Sequence, residues 1–308
     1  MKMRFATAGL TGLLLSSTAL AAPLTIEGDF VRAVVTDLGV LSSLRYDAAG
    51  SRNFPAVGDY VSPGIPFEGF GVRVGTGVNL RNANSEGADI PGTLVENPGG
   101  LVSGGSVTWT GVSTAGFSIS HTFSFSNTDQ RVNILTTLTA TTDLTNVRVS
   151  RAVDPDPDNF PGGSADTNNQ RGIPTNLPPI PTSDFVGSLG SISGKPLGLY
   201  YSGPITHDTG IVNSCCTVEN PDIYLAGGEL GDSSSGDNGI GIGFNLGSIA
   251  AGASVSWSYA YVMGGSLGTI DIPPPPPPPP TGDVPVPATA LLLGAGLAGL
   301  AGLRRRRA

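Results

Sequence analysis

The chain has 308 residues, including 45 glycines and 26 prolines, and only 13% of its residues are charged. This much Gly and Pro interrupts helices, whereas the abundant Ser, Thr and Val suit strands and turns. Six of the 16 Lys and Arg residues lie in two acid-free termini, so a formal net charge of −8 leaves the intervening body at −14. Phosphate backbones would repel such a body, which excludes nucleic acid as a partner.

The first 21 residues have the three parts of a secretory signal peptide. Lys2 and Arg4 form a short positive region, residues 5–15 are apolar, and a small-x-small pattern ends at Ala21. This order of charge, apolar run and small residues predicts export and cleavage after Ala21. The mature protein then begins at residue 22.

Residues 22–272 form the predicted extracytoplasmic body, in which apolar residues alternate with Ser, Thr or Gly. Such alternation is typical of strands with one buried face. The clearest example places Phe117, Ile119, His121, Phe123 and Phe125 on one face. Further strands are predicted at residues 30–35, 40–46, 132–140, 145–153, 240–246 and 255–261. No convincing amphipathic helix occurs between the termini, so we predict an all-β fold, a large antiparallel β-sandwich.

The opening of the body, residues 26–54, contains the segment Leu-Gly-Val-Leu-Ser-Ser-Leu-Arg-Tyr-Asp at positions 38–47. This hairpin resembles the start of the β-supersandwich folds found in sugar-binding proteins. The resemblance implies a supersandwich-like body.

An acidic block follows the predicted strand 145–153. Asp154, Asp156 and Asp158 alternate with prolines, and alternate carboxylates can converge on calcium, which takes six to eight oxygen ligands. An EF-hand loop would require Gly where Asn159 stands and an acid where Ala165 stands. The alternatives are therefore a non-standard calcium site and a solvated acidic turn.

Cys215 and Cys216 are the two cysteines of the chain. In an oxidising compartment they can form a disulfide with each other, or each can bridge to another chain. Reduced thiols on opposite faces of a strand are the third alternative.

No catalytic arrangement is evident in the sequence. His121 lies on the apolar face of a predicted strand, which favours a packed core histidine over a general base. His207 stands beside Asp208 in a predicted turn, but no nucleophile can be assigned to it. We therefore predict that the protein is not an enzyme.

The C-terminal region begins with a proline-rich linker, residues 273–283, whose first eight residues are all proline. Such a run adopts polyproline II and acts as a stiff spacer of about 25 Å. A short block with the sequence Val-Pro-Val-Pro-Ala follows it, and its residues are Val284, Pro285, Val286, Pro287 and Ala288.

The last 25 residues have the composition of a membrane segment with a positive stop. Residues 284–303 are free of charge, and their length is near the minimum for a transmembrane helix. The chain then carries four consecutive arginines, Arg304, Arg305, Arg306 and Arg307. These cations hold the C-terminus on the cytoplasmic side.

A Val-Pro-x-Pro-Ala block, an apolar helix and a terminal Arg cluster resemble the VPLPA variant of the PEP-CTERM sorting signal. Val286 stands where that variant usually has Leu. The resemblance implies recognition by an exosortase, an inner-membrane enzyme of Gram-negative bacteria. It also implies a transient stay in the inner membrane and then delivery to the cell surface or extracellular matrix. A permanent tail anchor is the alternative.

These observations together predict a secreted surface or matrix-associated protein without a catalytic role. The alternative is a carbohydrate-binding module for extracellular polysaccharide, and a glycan hydrolase is less favoured. The alternative rests on aromatic side chains that stack on sugars if they are exposed, namely Trp109, Trp257, Tyr200 and Tyr201.

Overall fold

The computed structural model describes residues 22–64, 67–176, 178–217 and 220–273. Its strands in chain order are β1 (Leu24–Glu27), β2 (Val31–Val35), β3 (Leu41–Tyr46), β4 (Glu68–Val74), β5 (Leu80–Ala83), β6 (Gly87–Ala88), β7 (Gly92–Glu96), β8 (Gly104–Ser113), β9 (Phe117–Ser126), β10 (Arg131–Ala140), β11 (Leu144–Val153), β12 (Thr167–Arg171), β13 (Phe185–Gly190), β14 (Pro196–Tyr200), β15 (Thr206–Val212), β16 (Ser233–Gly236), β17 (Gly239–Ile249) and β18 (Ser254–Met263). A five-residue helix, α1 (Pro221–Leu225), and a 3-10 turn (Leu267–Thr269) accompany them.

The strands form three antiparallel sheets. The first has the order β1-β2-β3. The second has nine strands in the order β16-β12-β13-β14-β18-β10-β9-β8-β7, and the third has six in the order β15-β17-β11-β4-β5-β6. The last strand of the chain, β18, therefore lies in the middle of the nine-stranded sheet, between β14 and β10.

The nine-stranded and six-stranded sheets pack face to face. The ring of Phe70 on β4 contacts Trp109 on β8 at a centroid distance of 5.4 Å. Phe244 on β17 likewise meets Trp257 and Tyr259 on β18, at 5.4 and 5.3 Å. These contacts lie in one apolar core shared by both sheets, which confirms the predicted all-β antiparallel sandwich.

The alternating pattern correctly predicted the buried face of β9. Phe117, Ile119, His121, Phe123 and Phe125 are all buried, and the Ser and Thr residues between them are partly exposed. Each predicted strand corresponds to an observed one, with ends that differ by a few residues.

Several glycines of this Gly-rich chain make room for one large side chain. Trp109 is fully buried, and a Cβ atom added at Gly39, Gly92 or Gly111 would overlap its indole ring. Gly39 also has φ +75°, a conformation that side chains disfavour. The indole nitrogen donates to the carbonyl oxygen of Asp37 at 2.7 Å. Glycine thus lets backbone pack directly against the indole on more than one side.

The predicted signal peptide, most of the proline-rich linker and the whole sorting tail lie outside the described residues. The helices of the described part are too short to cross a membrane.

Candidate metal centre

Three strand ends meet at one edge of the six-stranded sheet. Strand β17 pairs with β11 on one side and with β15 on the other. Val153 at the end of β11 lies opposite Ile240, and Val212 at the end of β15 lies opposite Gly239. The loops that leave β11 and β15 and the loop that enters β17 are therefore neighbours.

Three aspartates from two of these loops form a cluster. Asp154 and Asp156 follow β11, and Asp237 precedes β17. One carboxylate oxygen from each lies within 4.8 Å of the others. Asp154 and Asp156 are only 3% and 4% exposed, whereas Asp237 is exposed to solvent. The cluster is therefore buried at Asp154 and Asp156 and open to solvent at Asp237.

Two oxygen atoms of this cluster are buried without a hydrogen-bond partner in the described part of the chain. They are Oδ1 of Asp154 and Oδ1 of Asp156. The other oxygen of Asp156 accepts from Asn159 Nδ2 at 3.0 Å. Backbone hydrogen bonds fix both aspartates, because Asp154 N donates to Phe67 O and Asp156 N donates to Tyr60 O. Buried polar atoms without partners are rare, because leaving them unpaired costs free energy.

The pKa values of the two buried aspartates are raised in this cluster. Burial, the largest cause, and the nearby charges of Asp156 and Asp237 together raise the pKa of Asp154 to about 9. The pKa of Asp156 is raised to about 6, because burial and the charge of Asp237 outweigh the opposing hydrogen bond from Asn159. Full ionisation of the cluster at neutral pH therefore requires a compensating positive charge.

Asp158, which the sequence grouped with Asp154 and Asp156, lies elsewhere. Its Oδ2 accepts from the backbone nitrogens of Ile192 and Ser193 at 2.8 and 2.9 Å. Burial alone would raise the pKa of Asp158, but hydrogen bonds from Ser193 and Ile192 and the charge of Lys195 lower it below its usual value. A tight turn after Asp156 directs Asp158 away, and the structure puts Asp237 in the position that the sequence gave to Asp158.

The two cysteines lie next to the acidic cluster. Cys215 and Cys216 follow β15 and are joined to each other by a disulfide. Both sulfurs lie within 4.8 Å of a carboxylate oxygen of Asp154. The structure thus has the vicinal disulfide, one of the three alternatives that the sequence left open.

A second group of ionisable residues lies deep in the sandwich and was not predicted. Glu68 on β4 and Arg151 on β11 form a fully buried ion pair. Arg151 Nη2 donates to Glu68 Oε2 at 2.8 Å, and Tyr261 donates to Glu68 Oε1 at 2.7 Å. The Leu41 amide donates to the same carboxylate. Solvent does not reach these groups, so the pair is part of the core.

The two histidines lie in different surroundings. His121 is fully buried, stacks on Trp109 and hydrogen-bonds to Thr136 through Nδ1 at 2.8 Å. Burial and, to a lesser degree, the charge of Arg151 hold its pKa well below the usual value. This confirms the prediction of a packed core histidine. His207 Nδ1 lies 2.6 Å from the carbonyl oxygen of Ile205.

The expected aromatic sugar platform is not present at the predicted residues. Trp109 is fully buried, and Trp257 and Tyr201 are each 4% exposed. Trp109 and Trp257 face the interior between the two large sheets, where their area stabilises the core. Tyr200 is partly buried against the smaller apolar cluster around Phe185. The stacking hypothesis was therefore wrong for Trp109, Trp257 and Tyr201.

Comparison with protein families gives a match at the C-terminus. Residues 283–307 match the model described as the PEP-CTERM protein-sorting motif. The chain carries a PEP-CTERM sorting signal. This confirms the resemblance seen in the residues, and it makes the chain an exported protein that passes through the membrane and is processed by an exosortase-like enzyme. No curated protein matches the sequence of this chain.

Solved structures resemble the body of this chain in fold. A bacterial glucoamylase complexed with acarbose matches with a TM-score of 0.52 and 12% identity, over 82% of this chain and 33% of that chain. A galactose mutarotase related enzyme from Lactobacillus acidophilus matches with a TM-score of 0.42 and 9% identity, over 82% and 100% of the two chains. The chain thus spans a third of the glucoamylase it matches. At these identities the likeness concerns the fold alone.

Proposed function

We propose that this protein is a non-catalytic component of the cell surface or extracellular matrix, delivered by an exosortase that recognises the Val-Pro-x-Pro-Ala form of the signal. The sorting motif at residues 283–307 carries the proposal. Residues 284–288 supply the Val-Pro-Val-Pro-Ala block, and the four terminal arginines supply the stop.

The chemistry of the body supports a non-catalytic role. General acids and bases must reach the substrate to transfer protons. Glu68, Arg151 and His121 are fully buried, so they are not in contact with solvent or substrate. Some ionisable groups at the surface of the described residues are held in ion pairs, as Arg52 is with Asp29 and Asp232 is with Arg171.

The sequence of the tail supports processing at the outer side of the inner membrane. Four arginines at the C-terminus resist transfer across the bilayer, so the apolar segment stops there while the body is exported. Eight prolines separate the body from the Val-Pro-Val-Pro-Ala block in the sequence, and proline-rich linkers generally act as semi-rigid spacers. A membrane enzyme can reach the block in this position.

We expect the mature protein to lack both residues 1–21 and the apolar segment with Arg304–Arg307. Intact-mass analysis of protein recovered from the cell surface measures both ends at once. Joint replacement of Pro285 and Pro287 by Ala should leave an unprocessed species in the inner membrane. Pro277→Ala with Pro279→Ala keeps the same spacing outside the motif and should be processed normally. Surface protein that still carries the arginines would instead indicate a permanent tail anchor.

Binding of a polysaccharide is a second candidate function, and a polar pocket favours it. The pocket has a volume of about 290 Å³ and lies along β12 and the edge strand β16. It is lined by amide and hydroxyl side chains and one leucine: Asn168, Asn169, Gln170, Leu189, Ser233, Ser234 and Ser235. Asn169 Nδ2 is buried without a partner among the described residues, as is the hydroxyl of Ser188 opposite it on β13. Uncharged donors and acceptors suit a neutral ligand rich in hydroxyl groups.

Retention on immobilised neutral polysaccharides, namely dextran, xylan and the matrix polysaccharide of the producing cells, tests this candidate. Asn168→Ala and Asn169→Ala should each weaken binding about tenfold, the loss expected for one hydrogen-bonding side chain. Asn133→Ala, on β10 and outside the pocket, is the matched control and should bind like the natural protein. If the natural protein elutes unretained from all three columns, this candidate is wrong.

A further inference from the structure

We propose that Asp154, Asp156 and Asp237 bind a calcium ion that joins the loop after β11 to the loop before β17. Each of the three carboxylates places an oxygen within 4.8 Å of the others, and each of the two buried ones has an oxygen without a hydrogen-bond partner among the described residues. The orphaned oxygens are what distinguish this group from an ordinary acidic surface patch.

The chain supplies little positive charge of its own at this place. No Lys or Arg occurs in residues 196–303, which include Asp237 and both neighbouring strands β15 and β17. Arg151, three residues before Asp154, is committed to Glu68 in the core. Lys195 acts on Asp158. A bound cation therefore provides the charge that the side chains do not.

The ligand set favours a hard cation. All three side chains offer carboxylate oxygen, which calcium prefers, whereas structural zinc sites take thiolate and imidazole. The sulfurs of Cys215 and Cys216 are close, but their disulfide removes the thiolates that zinc would need. Calcium tolerates irregular geometry with water completing its shell, and the exposed side at Asp237 leaves room for water. Magnesium demands a near-ideal octahedron, which two separate loops supply less readily.

The ion would connect parts of the fold that are distant in sequence. Asp156 is fixed to the segment before β4 by its bond to Tyr60 O, and Asp237 leads directly into β17. Extracellular calcium modules bind in about the 10⁻⁴ to 10⁻³ M range. A site of this class stays unfilled in the cytoplasm and fills once the body is outside the cell, so calcium would stabilise the exported form.

Thermal unfolding of the full-length protein in detergent, in EDTA and in calcium, tests the proposal. At calcium concentrations about 100-fold above Kd, we expect Tm to rise by about 5–10 °C. Asp237→Asn should abolish most of this rise, and because Asp237 is exposed the variant should fold. Asp156→Asn should also abolish it, and should raise Tm in EDTA because one of the crowded like charges is removed. Isothermal calorimetry on the same samples should show binding to the natural protein and none to these variants.

Asp158→Asn is the matched control. It removes a neighbouring carboxylate whose oxygens serve the Ile192 and Ser193 amides, so it should lower Tm in EDTA and calcium alike and keep the calcium-dependent rise. The proposal is overturned if calcium does not raise Tm, or if Asp237→Asn keeps the full rise. An equal rise with magnesium at the same concentration would overturn the assignment to calcium.

Discussion

Replacing Arg151 by Met is expected to lower the free energy of unfolding by about 3–5 kcal/mol, the usual cost of breaking a buried ion pair from one side. The substitution leaves the Glu68 carboxylate in the core with Tyr261 and the Leu41 amide as its remaining partners. Burial already raises the pKa of Glu68 despite the opposing charge of Arg151. Without that charge the carboxylate must stay ionised at high cost or take up a proton. Urea denaturation followed by tryptophan fluorescence measures the loss.

A double variant separates the value of the pair from the cost of an unpaired charge. Arg151→Met combined with Glu68→Leu removes both charges and keeps apolar volume beside Phe70 and Phe123. We expect it to recover most of the stability lost by Arg151→Met alone, because a well-packed apolar pair can replace a buried ion pair. A single variant that costs less than about 1 kcal/mol would contradict this account of the core.

Replacing Asp59 by Asn is expected to cost about 2–4 kcal/mol, the second large effect. Asp59 is fully buried and accepts hydrogen bonds from Arg45 Nε at 2.8 Å and from the hydroxyl of Ser43. Its Oδ1 also accepts from backbone amides, including that of Val61 at 3.0 Å. An Asn side chain keeps one acceptor oxygen but turns an NH₂ group toward the donors of Arg45 and Ser43.

Asp59 also makes the free energy of unfolding depend on pH in the acid range. Burial alone would raise the pKa of Asp59, but the hydrogen bonds from Arg45, Ser43 and two backbone amides lower it below 3.8. A lowered folded-state pKa gives stability that is present above about pH 4 and is lost as the pH falls through the folded-state value. Asp59→Asn should therefore flatten this part of the stability curve below pH 4. Asp143→Asn, at an exposed site where the carboxylate accepts one hydrogen bond from the Ala251 amide, is the control and should change the free energy of unfolding at neutral pH by less than about 1 kcal/mol.

The strands predicted from the sequence are rich in apolar residues, and β9 shows the clearest apolar–polar alternation among them. The alternation in β9 reflects one face in the core and one toward solvent, so it could be read directly. Strands such as β12, with the sequence Thr-Asn-Asn-Gln-Arg, and β16, with Ser-Ser-Ser-Gly, lack apolar residues and were missed. Backbone pairing with neighbouring strands holds them in place, β12 with β13 and β16 with β12. The local sequence of a strand does not indicate such pairing with distant segments.

The acidic cluster could be predicted only in part, because one of its three aspartates comes from a distant part of the sequence. Asp154 and Asp156 are two positions apart in sequence and were grouped correctly, but Asp237 comes about 80 residues later. Only the pairing of β11 with β17 brings it to them. The buried Glu68–Arg151 pair was also missed, although an Arg inside the apolar run of β11 was a signal that a partner must lie across the sheet.

The central place of β18 has a consequence for the order of events during synthesis and export. Strands β7–β10 form one half of the nine-stranded sheet, and β12–β14 with β16 form the other; within this sheet β18 joins the two halves. A chain that crosses the membrane from its N-terminus delivers β18 last of all the strands. The nine-stranded sheet therefore cannot form completely until almost the whole body has crossed the membrane. The chain stays incompletely folded, and able to pass through the membrane, while it is being translocated.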